Sequence, residues 1–233
     1  RTLMPDNGEP DLTLARYQID QYLLKPNEDS QDKGPLIGLL RSGLLKRFES
    51  SAHAFANTCR KMVAQHHLFL KALDKGQVIT AKDLYNEAGG IGELEEKEFQ
   101  ALLEASDQVE DLRLYNQAKL RKDVEDDLAL LTDFTKRAEL VQPEDDPKLR
   151  ALVEELANIA EQAVEDSGTD EDERDNRKVL IFSYYKDTAL WILRWLSKVV
   201  KEDERLQCFQ NRIVATSGSG ADSEFLRPDE AAW

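Results

Sequence analysis

From Leu45 to Leu73 the chain repeats one pattern: Leu45, Phe48, Ala52, Phe55, Cys59, Met62, His66, Phe69 and Leu73 follow each other in steps of three and four. That spacing lays a stripe along one side of a long helix and calls for a partner helix. Gly76, just past the last apolar position, is a suitable stop. Gly38, Ser42 and Gly43 predict a break or kink before Leu44. A second stripe runs through Leu120, Val124, Leu128, Leu131, Phe134, Ala138 and Val141 on a helix predicted over 112–141 and ended by Pro143. A third helix opens with Asp146 as its cap and Pro147 at the first helical position. Its face is Leu149, Leu152, Val153, Leu156, Ile159, Ala160 and Ala163. Such helices pack antiparallel, as a bundle or a coiled-coil arm.

Between these stripes the pattern lapses. Residues 1–35 are irregular, with turns at Pro5, Asn7, Gly8 and Pro10. The apolar positions from Leu12 to Leu23 fit a strand or a helical turn, and the pattern does not choose. Lys25 to Pro35 reads as a polar linker. Thr80 and Asp83 resemble a capping box, with Asp for the usual Glu or Gln, and predict a short helix over Ala81–Ala88. Gly89, Gly90 and Gly92 then break the chain ahead of Phe99, Leu102 and Leu103. The run DSGTDEDERDN over 166–176 reads as a charged loop and the main boundary.

The pattern changes once more at 178–196. Val179 to Phe182 is a short, continuous apolar run, which predicts a strand buried on both faces, as in parallel sheets. Ala189, Leu190, Ile192, Leu193 and Leu196 then recur at helical spacing. In an open α/β sheet, ligands sit outside the carboxyl ends of the strands, which puts Ser183 and Tyr184 at the functional end. A second strand is predicted over Ile213–Ala215, ending at Thr216-Ser217-Gly218, with a loose polar tail from Ser219. Two strands cannot complete a two-sided sheet. The expected fold is therefore mainly α with a small, incomplete α/β part. Its segments are an irregular start (1–35), a helical domain (36–165), an acidic linker (166–176) and a truncated α/β segment (177–233).

Charge narrows the function. The net charge of −15 argues against a surface that coats nucleic acid generally, and leaves room for a local basic patch. With 41% hydrophobic and 33% charged residues the composition suits a helix-rich chain. No apolar run approaches the roughly 20 residues of a membrane span. Cys59 and Cys208 lie far apart without metal-type spacing, which points to a reduced, cytoplasmic chain. A chain that opens at Arg1 reads as a piece of something longer. His53, His66 and His67 with Cys59 have no carboxylate placed to finish a closely spaced zinc site, so core or surface histidines are expected. Gly218-Ser219-Gly220 stops at G-x-G, short of a phosphate-binding fingerprint, and reads as a turn. No G-x-S-x-G elbow is present.

Three segments, LLKRFESSAHAF (Leu44 to Phe55), DPKLRALVEEL (Asp146 to Leu156) and KVLIFSYYKDTALWIL (Lys178 to Leu193), stand in one order. Together they resemble bacterial Swi/Snf-like superfamily-2 helicases. There they correspond to a helical region, the helix before the second motor lobe, and that lobe's first strand and helix. The resemblance implies an incomplete RecA-like βαβ unit and a parent protein that couples ATP hydrolysis, with magnesium, to movement along duplex DNA. The partners it implies are DNA and the remaining motor lobes of the same chain. This sequence has no Gly-Lys-Ser/Thr loop, no DEAD- or DEAH-like box and no Q-x-x-G-R-x-x-R, so no catalysis by the chain itself is expected. Within the resemblance Ser183 and Tyr184 contact the nucleic-acid backbone. For Ser183 the competing role is the N-cap of the following helix, which Asp187 fills equally well. Lys46 and Arg47 either lie beside nucleic acid near the cleft between lobes or form a solvated helix face. The rival function is an acidic helical protein-interaction module without a motor. A third, a nucleotide-dependent transferase, rests on G-S-G alone.

Overall fold

A computed structural model describes residues 12–25, 34–80, 108–217 and 224–226. The chain divides into two compact units: Arg1–Glu49 with Phe55–Ala138, and Ser50–Ala54 with Glu139–Trp233. The described residues are mainly helical, with two small antiparallel strand pairs.

In the first unit, α1 (Gly34–Ser50) and α2 (Ala52–Asp74) are separate helices, parted at Ser51. The break predicted before Leu44 is absent, since α1 runs through Gly38, Ser42 and Gly43. Ser51 makes the break instead: its Oγ accepts the N–H of Ala54 at 3.0 Å, as a capping hydroxyl does. The stripe therefore holds along α2 and fails along α1. Phe55, Cys59, Met62, His66, Phe69 and Leu73 are buried, whereas Leu45 and Phe48 are exposed. The face that α1 buries is Leu36, Ile37, Leu40, Leu44 and Arg47. Gly76 ends α2 as expected, in the left-handed region at φ 76, which favours glycine.

The predicted second stripe lies on α3 (Gln117–Glu139) from Leu120 to Ala138, but Val141 falls past the helix end, and the start predicted at Leu112 is a separate 3-10 turn, Leu112–Leu114. One core cluster joins Phe55, Cys59 and Met62, from the start of α2, to Leu130, Leu131 and Ala138, from the end of α3. A second joins Phe69 and Leu73, at the end of α2, to Leu120 and Val124, at the start of α3. The two helices thus run antiparallel. Strands β1 (Gln77–Thr80) and β2 (Gln108–Asp111) pair antiparallel, with Val78 opposite Glu110. Neither strand was legible in the periodicity, because four residues give too short a pattern. The helix expected over Ala81–Ala88, the glycines after it and the apolar positions Phe99 to Leu103 lie outside the described residues.

The segment from Leu12 to Leu23 forms two 3-10 turns, Ala15–Tyr17 and Ile19–Tyr22, and a single bridge from Leu23 to Tyr115. Asp127 of α3 holds the first turn. Its carboxylate accepts the N–H of Thr13 at 2.7 Å, the Thr13 hydroxyl at 2.9 Å and the N–H of Ala15 at 2.7 Å. Leu14, between these donors, has φ 59, a left-handed conformation unusual for a branched residue. Three charge-assisted hydrogen bonds on either side of it hold that conformation.

The second unit is built on α4 (Pro147–Glu165) and α6 (Lys186–Glu202), with the short α5 (Asp170–Asn176) between them. Val153, Leu156 and Ala157 of α4 pack with Leu196, Val199 and Val200 of α6 over Leu206. The helix α4 therefore belongs with α6 rather than with one helical domain spanning 36–165; the chain divides after Ala138. The stretch read as an acidic linker is in part helical. Thr169 caps α5, accepting the N–H of Asp172 at 3.2 Å, and four acidic residues in its first turn suit the positive end of the helix.

The predicted buried strand is not formed among the described residues. Val179–Phe182 has no ladder partner among the described residues, and Leu180 and Phe182 are 84% and 88% exposed. A strand needs a neighbour for its backbone groups, and no described segment lies alongside to supply one. The later strand forms over Ala215–Ser217 (β3) rather than over the predicted Ile213–Ala215, and it pairs antiparallel with β4 (Glu224–Leu226) instead of joining a parallel sheet. Gly218-Ser219-Gly220 lies outside the described residues.

Candidate functional site

The site is assembled around the start of α6. Asp146 caps α4, its Oδ1 accepting the N–H of Lys148 at 2.9 Å, as the Asp-Pro pairing predicts. Its Oδ2 accepts the indole N–H of Trp191, from α6, at 3.2 Å. Trp191 is 2% exposed, and the ring of His53 stacks on it at 5.1 Å with 9° between the planes. Thr188, one turn earlier on α6, is also buried. Its hydroxyl meets that of Ser50 at 2.7 Å and that of Ser51 at 2.8 Å. The Lys148 ammonium reaches the Ser50 carbonyl at 3.4 Å, at the long end of hydrogen-bond range.

All of these groups except His53 border a cavity of about 300 Å³ that Phe182, Ser183 and Tyr184 also line. The arrangement is a hydroxyl-rich hollow with one cation at its edge and apolar side chains around it. Such a donor set suits a phosphate oxygen or another oxyanion. Asp146 also borders the cavity, with each of its oxygens engaged by a donor. The helix α6 begins after Tyr185, which makes no side-chain cap, and the Ser183 hydroxyl donates to the Tyr185 carbonyl at 3.3 Å. Ser183 therefore does not serve as the helix cap. Tyr184 is 67% exposed and braced edge-on against the buried Tyr185, with ring centres 5.0 Å apart.

Of the four residues singled out in the sequence, Ser183 and Tyr184 come together on this cavity. Lys46 and Arg47 belong to the other unit and do not border it. Lys46 is half-buried. Arg47 is 2% exposed, with its guanidinium 3.4 Å from the Gly43 carbonyl of its own helix, so it is no solvated face. As placed, it presents no surface to a phosphate. The sequence reading missed Lys148, Ser50, Ser51 and Thr188. Lys148 carried a signal, since it follows the Asp-Pro cap, whereas Ser50 and Ser51 fall between the stripe positions Phe48 and Ala52 and leave its count undisturbed.

Among the described residues no cluster of three or more His, Cys, Asp or Glu side chains is arranged to hold a metal ion, and no helix is long and apolar enough to cross a membrane. His66 lies on the α2 stripe, fully buried, with Nδ1 2.7 Å from the Met62 carbonyl. Burial lowers its pKa to about 4 and raises that of the Cys59 thiol to about 12, so both are neutral core groups. Neither a protein-family model, nor a curated protein, nor a solved structure matches the chain.

Proposed function

We propose that the chain is a piece of a Swi/Snf-like superfamily-2 DNA translocase, comprising a helical insertion and the opening of the second, RecA-like motor lobe. The observation that carries this reading is the place of Ser183. The serine for which the resemblance implies a backbone contact borders a cavity suited to phosphate, directly ahead of α6. The exposure of Leu180, Ile181 and Phe182 supports it as well, because a central strand separated from its sheet shows apolar side chains to water on both faces. ATP and magnesium act elsewhere in such a protein, and this chain contributes a contact to duplex DNA. The contact is to phosphate and carries no base preference.

A second reading, an acidic protein-interaction module with no motor, is favoured by the same exposure of Leu180 and Phe182. The coding sequence on either side decides between them. A Gly-Lys-Ser/Thr loop and a DExx box upstream, with Q-x-x-G-R-x-x-R downstream, is the result expected of the motor. Flanking sequence without these motifs leaves the interaction module.

A further inference from the structure

We propose that Lys148, Ser50 and Ser183 form a seat for one phosphate group in the cavity at the start of α6. Only the source of that phosphate, a nucleic-acid backbone, rests on the translocase reading. The seat itself stands on geometry. Lys148 is held at two points: its backbone N–H by Asp146 at 2.9 Å and its ammonium by the Ser50 carbonyl at 3.4 Å. The first of these holds the backbone and the second directs the ammonium toward the cavity edge, and a side chain so directed loses less freedom on binding an anion than a mobile one does. The Ser50 hydroxyl is ordered by Thr188 at 2.7 Å, and Thr188 is tied to Ser51 in turn. Ser183 enters from the opposite segment, its hydroxyl 3.3 Å from the Tyr185 carbonyl. A hydroxyl can turn its hydrogen from such a carbonyl to an incoming phosphate oxygen.

The carboxylate of Asp146 is the obvious objection, since it borders the same hollow. Both of its oxygens are engaged, by Lys148 N–H and the Trp191 indole, and the residue is 8% exposed. Its place is therefore fixed by its own donors, and Lys148 at the cavity edge supplies the opposite charge. The volume, about 300 Å³, is at the small end of ligand-binding cavities and has room for a single phosphate group. The seat therefore takes a phosphomonoester or a single phosphodiester.

Two sources share that chemistry, DNA backbone and a free phosphorylated molecule. Nitrogen-15 spectra of the whole chain, titrated with inorganic phosphate and separately with a short DNA duplex, distinguish them. Sodium chloride at matched ionic strength is the control. The seat predicts saturable shifts at the Ser183 and Thr188 amides with phosphate, and competition by duplex at the same amides. Lys148→Ala should weaken phosphate binding at least about fivefold, as loss of a charge-assisted contact does, and Lys148→Arg should restore most of it. The exposed position of Lys148 leaves both variants folded, which their unchanged spectra elsewhere would show. Shifts no larger than those from chloride, or a Lys148→Ala protein that binds phosphate as the parent does, overturn the seat. Phosphate binding at these amides without any effect of duplex keeps the seat and removes the nucleic-acid reading. Duplex binding that leaves these amides and the Lys148→Ala protein unaffected keeps that reading and removes the seat.

Discussion

Asp127 and Thr13 lie 114 positions apart in sequence, yet the Asp127 carboxylate accepts both the N–H of Thr13, at 2.7 Å, and its hydroxyl, at 2.9 Å. With Ala15 as a third donor, this one buried carboxylate fastens the start of the described chain to α3. Burial raises its pKa, and the donors facing it oppose that rise. Asp127→Ala would strand two backbone N–H groups and release a left-handed Leu14. We expect a loss of about 3 kcal/mol or more in urea denaturation, as for other broken buried charge networks. Asp127→Asn should be milder, since one oxygen still accepts. Equal stability of the Ala variant and the parent would contradict the assignment.

Phe55 tests the antiparallel core. Its ring is 6.0 Å from Phe134 of α3 and 5.2 Å from Phe48, with 7% of its surface exposed. Phe55→Ala should cost about 3–5 kcal/mol, the range for large aromatic truncations in cores. A change below about 1 kcal/mol in chemical denaturation would show that α2 and α3 do not share this core.

His66 gives the first unit an acid limit. Its folded pKa, about 4, lies below its ordinary value of 6.5, so between these two pH values the unfolded chain binds the extra proton. The stability from neutral His66 is complete above pH 6.5, declines as pH falls toward 4, and changes no further below that. The full decline is about 3 kcal/mol. Asp127, whose folded pKa is raised, acts with the opposite sign, so the parent's own curve mixes the two. The informative quantity is the difference in unfolding free energy between the parent and His66→Gln across that window. It should shrink on acidification. A difference independent of pH would mean that His66 is not buried as a neutral ring.

In the second unit, Asp146 serves both as the cap of α4 and as the partner of Trp191. Asp146→Ala removes both roles and should lower stability by about 2 kcal/mol, the sum of a lost cap and a stranded indole N–H. A red shift of tryptophan emission should accompany it. Unchanged emission and stability would place Trp191 elsewhere.

What the sequence made legible follows physical range. The stripe from Phe55 to Leu73 on α2, that from Leu120 to Ala138 on α3, the stop at Gly76 and the Asp146-Pro147 start of α4 are local patterns of period or capping, and each appears where it was read. The break at Ser51 was hidden because a polar pair fits a helical stripe for one step without disturbing the count. Asp127 was hidden because a charge at a buried position makes sense only beside its donors, more than a hundred residues away. Val179–Phe182 shows the reverse: the composition of a buried strand is plain, but pairing depends on a neighbour that local sequence does not contain. For the site, Ser183 and Tyr184 were legible through their place after an apolar run. Lys148, Ser50 and Thr188 converge only when α4 and α6 pack together.

The central claim, a phosphate contact made by an otherwise acidic chain, is tested most directly by the salt dependence of DNA binding. Fluorescence anisotropy of a labelled duplex, titrated with the chain at several salt concentrations, gives that dependence. The account predicts weak binding whose logarithm falls linearly with the logarithm of salt, with a slope of about −1 to −3 for one to three phosphate contacts. Two duplexes of unrelated sequence should give the same line. No binding at the lowest salt, or an affinity that salt does not change, would contradict it.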